Sequence, residues 1–109
     1  MASEAEVAAL ALALPEAAPG DDHGAPAFTV RGKIFCALNH GDGRLVVKLD
    51  PEDQRNLCEA HPGLLTPAEG YWGRKGWTHL TYGPADAALV EQLLRMSWAG
   101  VAPKRLLKL

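Results

Sequence analysis

The chain has little cysteine, few aromatic residues and no long hydrophobic run. Two of its 109 residues are cysteines, Cys36 and Cys58, which is too few for the disulfide framework of a small secreted domain. Both lie in apolar patterns, and we therefore expect free, buried thiols and a reducing, cytoplasmic setting. No stretch approaches the roughly 18 apolar residues that a membrane span requires, and so we expect no membrane partner.

Basic residues are missing from the start of the chain. The first 22 residues contain five acids and no base, so the apolar run at 7–14 lacks the positive flank of a signal peptide and is predicted to be a helix. The rest of the chain carries all eleven bases and eight of the thirteen acids, although the whole chain has a formal net charge of −2. A negative chain disfavours strong non-specific binding to nucleic acid, whereas residues 23–109 are mildly basic.

Length and composition predict one globular domain, residues 1–109. Hydrophobic residues make up 48% of the chain and charged residues 22%, which is enough apolar material for one core. The capping box that starts at Ser3 and the acidic cap Asp50, followed by Pro51, predict two helices, the second ending near Ala60. Pro84 is predicted to open a last, long helix.

Between residues 28 and 82 the apolar pattern is that of short strands separated by turn-forming residues. Residues 16–27, which are rich in proline, glycine and aspartate, are predicted to be a loop. The order α-β-β-β-α-β-β-α predicts an α+β fold: an antiparallel sheet of about five strands with helices packed on one face. Strand segments are predicted at 28–31, 33–38, 44–49, 71–72 and 77–82, and residues 64–66 are a further short strand candidate.

The register of the first hairpin separates two faces of the predicted sheet. A two-residue turn at 31–32 pairs Phe28 with Phe35, and the next loop pairs Leu38 with Leu45. One face is then wholly apolar, and the other mixes bases with aromatic residues, a combination that can bind nucleic acid by phosphate attraction and stacking. The alternative is a half-exposed face whose lysine stems cover apolar neighbours. The mixed face carries Phe28, Val30, Lys33, Phe35, Ala37, Arg44, Val46 and Lys48.

Both predicted hairpin tips are basic. One carries Arg31 and Lys33, and the other carries Arg74 and Lys75 between two tryptophans. Basic tips can contact DNA phosphates as wings, and the alternative is two solvated turns with the tryptophans in the core. We expect DNA binding if the four cations lie on one exposed edge.

Several segments, taken in order and spacing, resemble the MmcQ/YjbR-like proteins. The resemblance implies a fold like that of type III secretion chaperones and a proposed DNA-binding role through a double wing of hairpins. It implies no catalytic residues. It extends from Ala9 to Leu106 and rests on Leu12-Ala13-Leu14-Pro15-Glu16, Phe28-x-Val30-x-Gly32-Lys33-Ile34-Phe35, Val47-Lys48-Leu49-Asp50-Pro51-Glu52, Trp72-Gly73-Arg74-x-Gly76-Trp77-Thr78 and Ala102-Pro103-Lys104-Arg105-Leu106.

Catalytic and metal-binding motifs are largely missing. The sequence has no phosphate-binding loop, paired-cysteine zinc motif or nucleophile elbow, and we expect neither an enzyme nor a cofactor. Cys58-x-x-His61 lacks a second pair of ligands. His23 and His40, with nearby aspartates at 21, 22 and 42, could form a metal set only if the hairpin register extended past Pro26. We interpret them as polar loop residues and predict no metal site.

The leading hypothesis is a non-enzymatic DNA-binding protein. An alternative is a protein-interaction or chaperone-like module, or a homodimer, that docks through Phe28, Phe35, Trp72 and Trp77. A third is a small-ligand pocket lined by Trp72, Trp77 and Phe35. The predicted DNA contacts are Arg31, Lys33, Lys48, Arg74, Lys75, Lys104 and Arg105.

Overall fold

A computed structural model of the chain describes residues 3–22, 24–39 and 43–102. These residues form four helices and one six-stranded antiparallel sheet with the strand order β1-β2-β3-β4-β6-β5. The α+β class is confirmed, and the predicted order of elements is present with β1 and α3 added to it. The elements are α1 (Glu4–Leu12), β1 (Ala17–Asp22), β2 (Ala25–Val30), β3 (Lys33–Asn39), β4 (Arg44–Lys48), α2 (Pro51–Ala60), β5 (Leu65–Pro67), α3 (Gly70–Arg74), β6 (Trp77–Thr81) and α4 (Ala87–Val101).

Two of the predicted helix starts are confirmed. Ser3 caps α1 through a reciprocal capping box with Glu6, and the Asp50 carboxylate accepts a hydrogen bond from the Glu52 N–H at the start of α2. The last helix starts later than predicted. Pro84 lies in a turn that the Ala85 N–H closes by bonding to the carbonyl of Tyr82, so α4 begins three residues further on.

The loop predicted for residues 16–27 is wrong, because residues 17–22 form strand β1. This strand pairs with β2 along its whole length, from Ala17 opposite Val30 to Asp22 opposite Ala25. Alanine, proline, glycine and aspartate have low strand propensity, but a proline is tolerated on an edge strand. The pairing surface of β2, rather than the sequence of β1 itself, therefore determines this element.

The register of the first hairpin is confirmed at its tip and wrong further along. Val30 pairs with Lys33 across a two-residue turn, but Phe28 pairs with Cys36 because the register shifts between Phe28 and Thr29. Phe35 is the additional residue of a β-bulge, and a bulge re-aims side chains. Beyond it, the predicted pair Leu38–Leu45 is present, and Cys36 pairs with Val47.

The bulge overturns the predicted mixed face. Phe28 and Phe35 are 4% and 0% exposed and belong to the hydrophobic core, so neither is available as an interaction residue. The hydroxyl of Ser97 on α4 donates to the Phe35 carbonyl and accepts from the Lys48 N–H at 2.9 Å. This buried bridge holds α4 across β3 and β4.

Helices α1 and α4 cover one face of the sheet. Their inward side chains join those of the strands in one core, and burying each large apolar side chain contributes about 1.5–3 kcal/mol. Within the described ranges, no helix is long and apolar enough to cross a membrane. The helical members of the core are Val7, Ala11, Val90, Leu93, Leu94 and Trp98.

Candidate nucleic-acid interface

The second basic hairpin is absent from the fold, and that prediction is wrong. Residues 70–74 form the short helix α3, and the chain enters β6 directly after it. Two glycines explain the difference. A Cβ on Gly73 would lie 1.8 Å from the Ala68 carbonyl oxygen, and one on Gly76 would lie 1.8 Å from that of Leu49. The segment is therefore folded tightly against other backbone instead of projecting as a wing.

A buried glutamine fixes α3 in place. The side chain of Gln54 on α2 is 8% exposed. Its Nε2 lies 3.0 Å from the Gly73 carbonyl, 3.1 Å from the Trp77 carbonyl and 3.0 Å from Thr78 Oγ1. Buried hydrogen-bond networks make the segments that they join rigid. Arg74, the last residue of α3, is thus held on an ordered element.

Five of the predicted cations lie at one end of the sheet, which we call the basic end: Arg31, Lys33, Lys48, Arg74 and Lys75. Arg31 is in the β2–β3 turn, Lys33 starts β3 and Lys48 ends β4. Lys48 pairs with Trp77, the first residue of β6, which Arg74 and Lys75 closely precede. Neighbouring strands are about 4.8 Å apart, so the starts of β3 and β6 are separated by roughly 10 Å. Lys104 and Arg105, also predicted as DNA contacts, lie outside the described residues.

Acidic and aromatic neighbours moderate this positive charge. The Arg31 guanidinium lies 3.3 Å from the Glu16 carboxylate, and the Lys75 ammonium lies 5.4 Å from the centre of the Tyr71 ring. Asp50 and Asp53 line a cleft that also contains Lys48 and Lys75.

Three cations of the basic end are left for a ligand. Within the described part of the chain, Lys33, Lys48 and Arg74 form no ion pair. All three are exposed. They are therefore the cations of this end most available to a phosphate group.

Two aromatic side chains next to the basic end are exposed. Tyr71 and Trp72 are 56% and 61% exposed, and their rings meet edge to face with centroids 5.4 Å apart. Trp72 thus lies at the surface, as an interaction residue would, and not in the core.

A cleft of about 350 Å³ opens beside Trp72 on the sheet face that α1 and α4 leave uncovered. Trp77 lines it as well. Phe35 was predicted to line such a pocket with the two tryptophans. Ile34 lines it instead, because the bulge directs Phe35 into the core. The full lining is Asp22, Ile34, Ala37, Val46, Trp72 and Trp77.

The remaining chemistry is sparse. Within the described ranges, no group of three or more histidine, cysteine, aspartate or glutamate residues could hold a metal ion. His23, His40 and Asp42, three of the possible metal ligands named from the sequence, lie outside those ranges. Both cysteines are free, and burial raises the pKa of Cys36 to about 12. Burial also raises the pKa of Cys58, so neither thiol is activated as a nucleophile.

A family model and a solved structure place this chain in the same family. The chain is similar to the crystal structure of Deinococcus radiodurans protein DR2400, a protein with the domain DUF419. The TM-score is 0.71 and the sequence identity 25%, over 85% of this chain and 73% of that one. No curated protein matches significantly. The YjbR family model matches residues 12–99, which agrees with the resemblance drawn from the sequence segments. The chain belongs to the YjbR family.

Proposed function

We propose that this protein is a non-enzymatic DNA-binding protein that contacts the phosphate backbone through the basic end of its sheet. The observation that supports this most is the strand register. It collects Arg31, Lys33, Lys48 and the pair Arg74-Lys75 from three separate parts of the chain at one end of the sheet. Lysine and arginine that neutralise phosphates supply most of the affinity of non-specific DNA binding.

The geometry favours backbone contact over reading of bases. The cations lie on the β2–β3 turn and at the end of α3, and the strands that follow these two segments, β3 and β6, are roughly 10 Å apart across β4. The glutamate paired with Arg31 and the aspartates near Lys48 reduce the net charge of this end. We therefore expect weak, strongly salt-dependent binding with little sequence preference.

The free cysteines fit a cytoplasmic protein. Cys36 and Cys58 are unpaired in a fold that buries Cys36 completely, and reduced thiols persist in the cytoplasm. We propose that binding takes place there.

Fluorescence anisotropy with a labelled duplex tests the DNA-binding proposal. The test variant carries Lys33→Glu and Arg74→Glu, and the matched control carries Arg44→Glu and Arg95→Glu. The control makes the same charge change at exposed positions, with Arg44 at the opposite end of β4 and Arg95 on α4. Four phosphate contacts would give a log–log salt slope near −3.6.

We expect the basic-end variant to lose binding while the control keeps most of it. Absence of binding to both duplex and single-stranded DNA at low salt would overturn the proposal, and so would equal losses in the two variants.

Docking of a protein partner is the second candidate, and the exposed Tyr71–Trp72 pair favours it. Tryptophan and tyrosine dominate the energetics of protein interfaces. A homodimer formed through this patch would show a doubled mass in light scattering, and Trp72→Ala would return it to the monomer mass. A monomer at all concentrations would exclude the homodimer.

A further inference from the structure

We infer that the cleft between Trp72 and Trp77 receives an unpaired base, so that the preferred ligand of the basic end is single-stranded DNA. This inference rests on the DNA-binding function proposed above and specifies its substrate class. The two features that combine to suggest it are an apolar cleft with two indole side chains and the lysine and arginine residues next to both of them.

The cleft has the composition of a base-stacking site. Trp72 is 61% exposed, so a large flat aromatic surface is already in contact with water. Trp77 is half-buried in the same cleft, and its apolar floor is formed by Ile34, Ala37 and Val46. A nucleobase offers a matching aromatic face whatever its sequence, and stacking on an aromatic side chain is a common way of holding single strands.

Cations lie close to both tryptophans of the cleft. Lys48 lies directly opposite Trp77 in the β4–β6 ladder, and opposed residues place their side chains on the same face about 5 Å apart. Arg74 and Lys75 follow Trp72 by two and three positions at the end of α3. A strand whose base enters the cleft would thus have its phosphates near Lys48, with Arg74 and Lys75 at the same end of the sheet.

This arrangement selects against a duplex. In double-stranded DNA the faces of each base are covered by the neighbouring base pairs, and exposing one requires a few kcal/mol of unpairing and unstacking. A single strand requires much less. The basic end alone does not discriminate, since phosphates are present in both forms, so the tryptophan cleft would be the source of any preference.

The test compares a labelled 12-nucleotide strand with a duplex of the same sequence by anisotropy, with tryptophan fluorescence as a second readout. Trp72→Ala should weaken single-strand binding by roughly 5- to 150-fold, the range measured for loss of one stacked base, and should leave duplex binding unchanged. Trp72→Phe should retain most of the affinity. Leu12→Ala is the matched control, because Leu12 is also an exposed apolar residue but lies at the end of α1 and does not line the cleft.

The outcomes separate the two proposals. If neither ligand binds at low salt, both proposals fail. If the duplex binds at least as tightly as the single strand and Trp72→Ala affects neither, the base-binding cleft is excluded while backbone binding stands. Because Trp72 is largely exposed, the variants should keep the wild-type circular dichroism spectrum, and a folded Trp72→Ala protein with unchanged single-strand affinity would likewise overturn the inference.

Discussion

Arg31 and Glu16 form an ion pair between two positions of unusual backbone conformation. The guanidinium Nε and the carboxylate are 3.3 Å apart, and the two residues have φ values of 55° and 57°. Positive φ is uncommon outside glycine. In Arg31 it belongs to the two-residue β2–β3 turn, and in Glu16 it lies at the entry to β1. The pair connects these two turns and offsets part of the charge of Arg31.

Glu16→Gln should increase DNA affinity while hardly changing stability. The substitution removes the negative charge beside Arg31 and leaves the guanidinium available to a phosphate. Because both side chains are about half exposed, the lost ion pair should lower the free energy of unfolding by no more than about 1 kcal/mol. Anisotropy and urea denaturation measure the two quantities. The control is Glu91→Gln, which breaks the exposed ion pair with Arg95 on α4; an equal gain in affinity there would show a general charge effect.

Gln54→Leu should destabilise the fold by about 1–3 kcal/mol. The amide of Gln54 is the side-chain donor to Thr78 Oγ1 and to two backbone carbonyls of the α3–β6 segment. Leucine has no donor, and buried acceptors without partners are costly. Urea denaturation monitored by circular dichroism gives the change, with Gln92→Leu on the exposed side of α4 as the control. Equal stabilities of the two variants would contradict the bracing role of Gln54.

Gly76→Ala should lower the stability of the fold, and Gly100→Ala should raise it. Gly76 has φ +103° and no room for a Cβ beside the Leu49 carbonyl, and we expect a loss of about 3 kcal/mol or more from strain and overlap. Gly100 is in α4 with nothing within 4 Å of an added Cβ, so alanine there should stabilise by about 0.5–1 kcal/mol. Thermal unfolding of both proteins shows whether each substitution raises or lowers the melting temperature. A tolerated alanine at Gly76 would mean that this backbone contact is not close.

The two thiols should differ in reactivity, and the buried Cys36 should make the stability of the fold fall at high pH. Burial raises the pKa of Cys36 to about 12 from 9.0, so at pH 8 a disulfide reagent should modify Cys58 and reach Cys36 only after unfolding. The unfolded chain ionises this thiol near pH 9, whereas the folded chain keeps it protonated until about pH 12. Stability therefore falls across that interval by up to about 1.4 kcal/mol per pH unit.

Cys36→Ala isolates the contribution of this thiol to the pH dependence. Tyrosines and lysines also titrate at high pH, and they are unchanged in the variant. The wild-type protein should lose more stability than Cys36→Ala between pH 9 and 12, when each is compared with its own value at pH 7. Parallel pH profiles would show that the thiol is not shielded.

The fold class could be predicted from the sequence because the signals involved are local. The capping box at Ser3, the Asp50-Pro51 helix start and the Arg31-Gly32 turn each depend on residues within a few positions of each other, and all three are present. Strand β1 and helix α3 could not be predicted in the same way. Their conformations are stabilised by pairing with β2 and by the hydrogen bonds of Gln54.

The candidate site also has a part that the sequence predicts and a part that it does not. Local sequence signals were enough to place Arg31 and Lys33 at a hairpin tip. The other features of the site depend on packing: a bulge at Phe35 directs two phenylalanines into the core, and close backbone contacts at Gly73 and Gly76 accompany helix α3 in place of a wing. The tertiary structure also brings Lys48 beside Trp77. The physical reason is that turns and caps are fixed by short-range backbone geometry, whereas register shifts and close packing depend on contacts between distant parts of the chain.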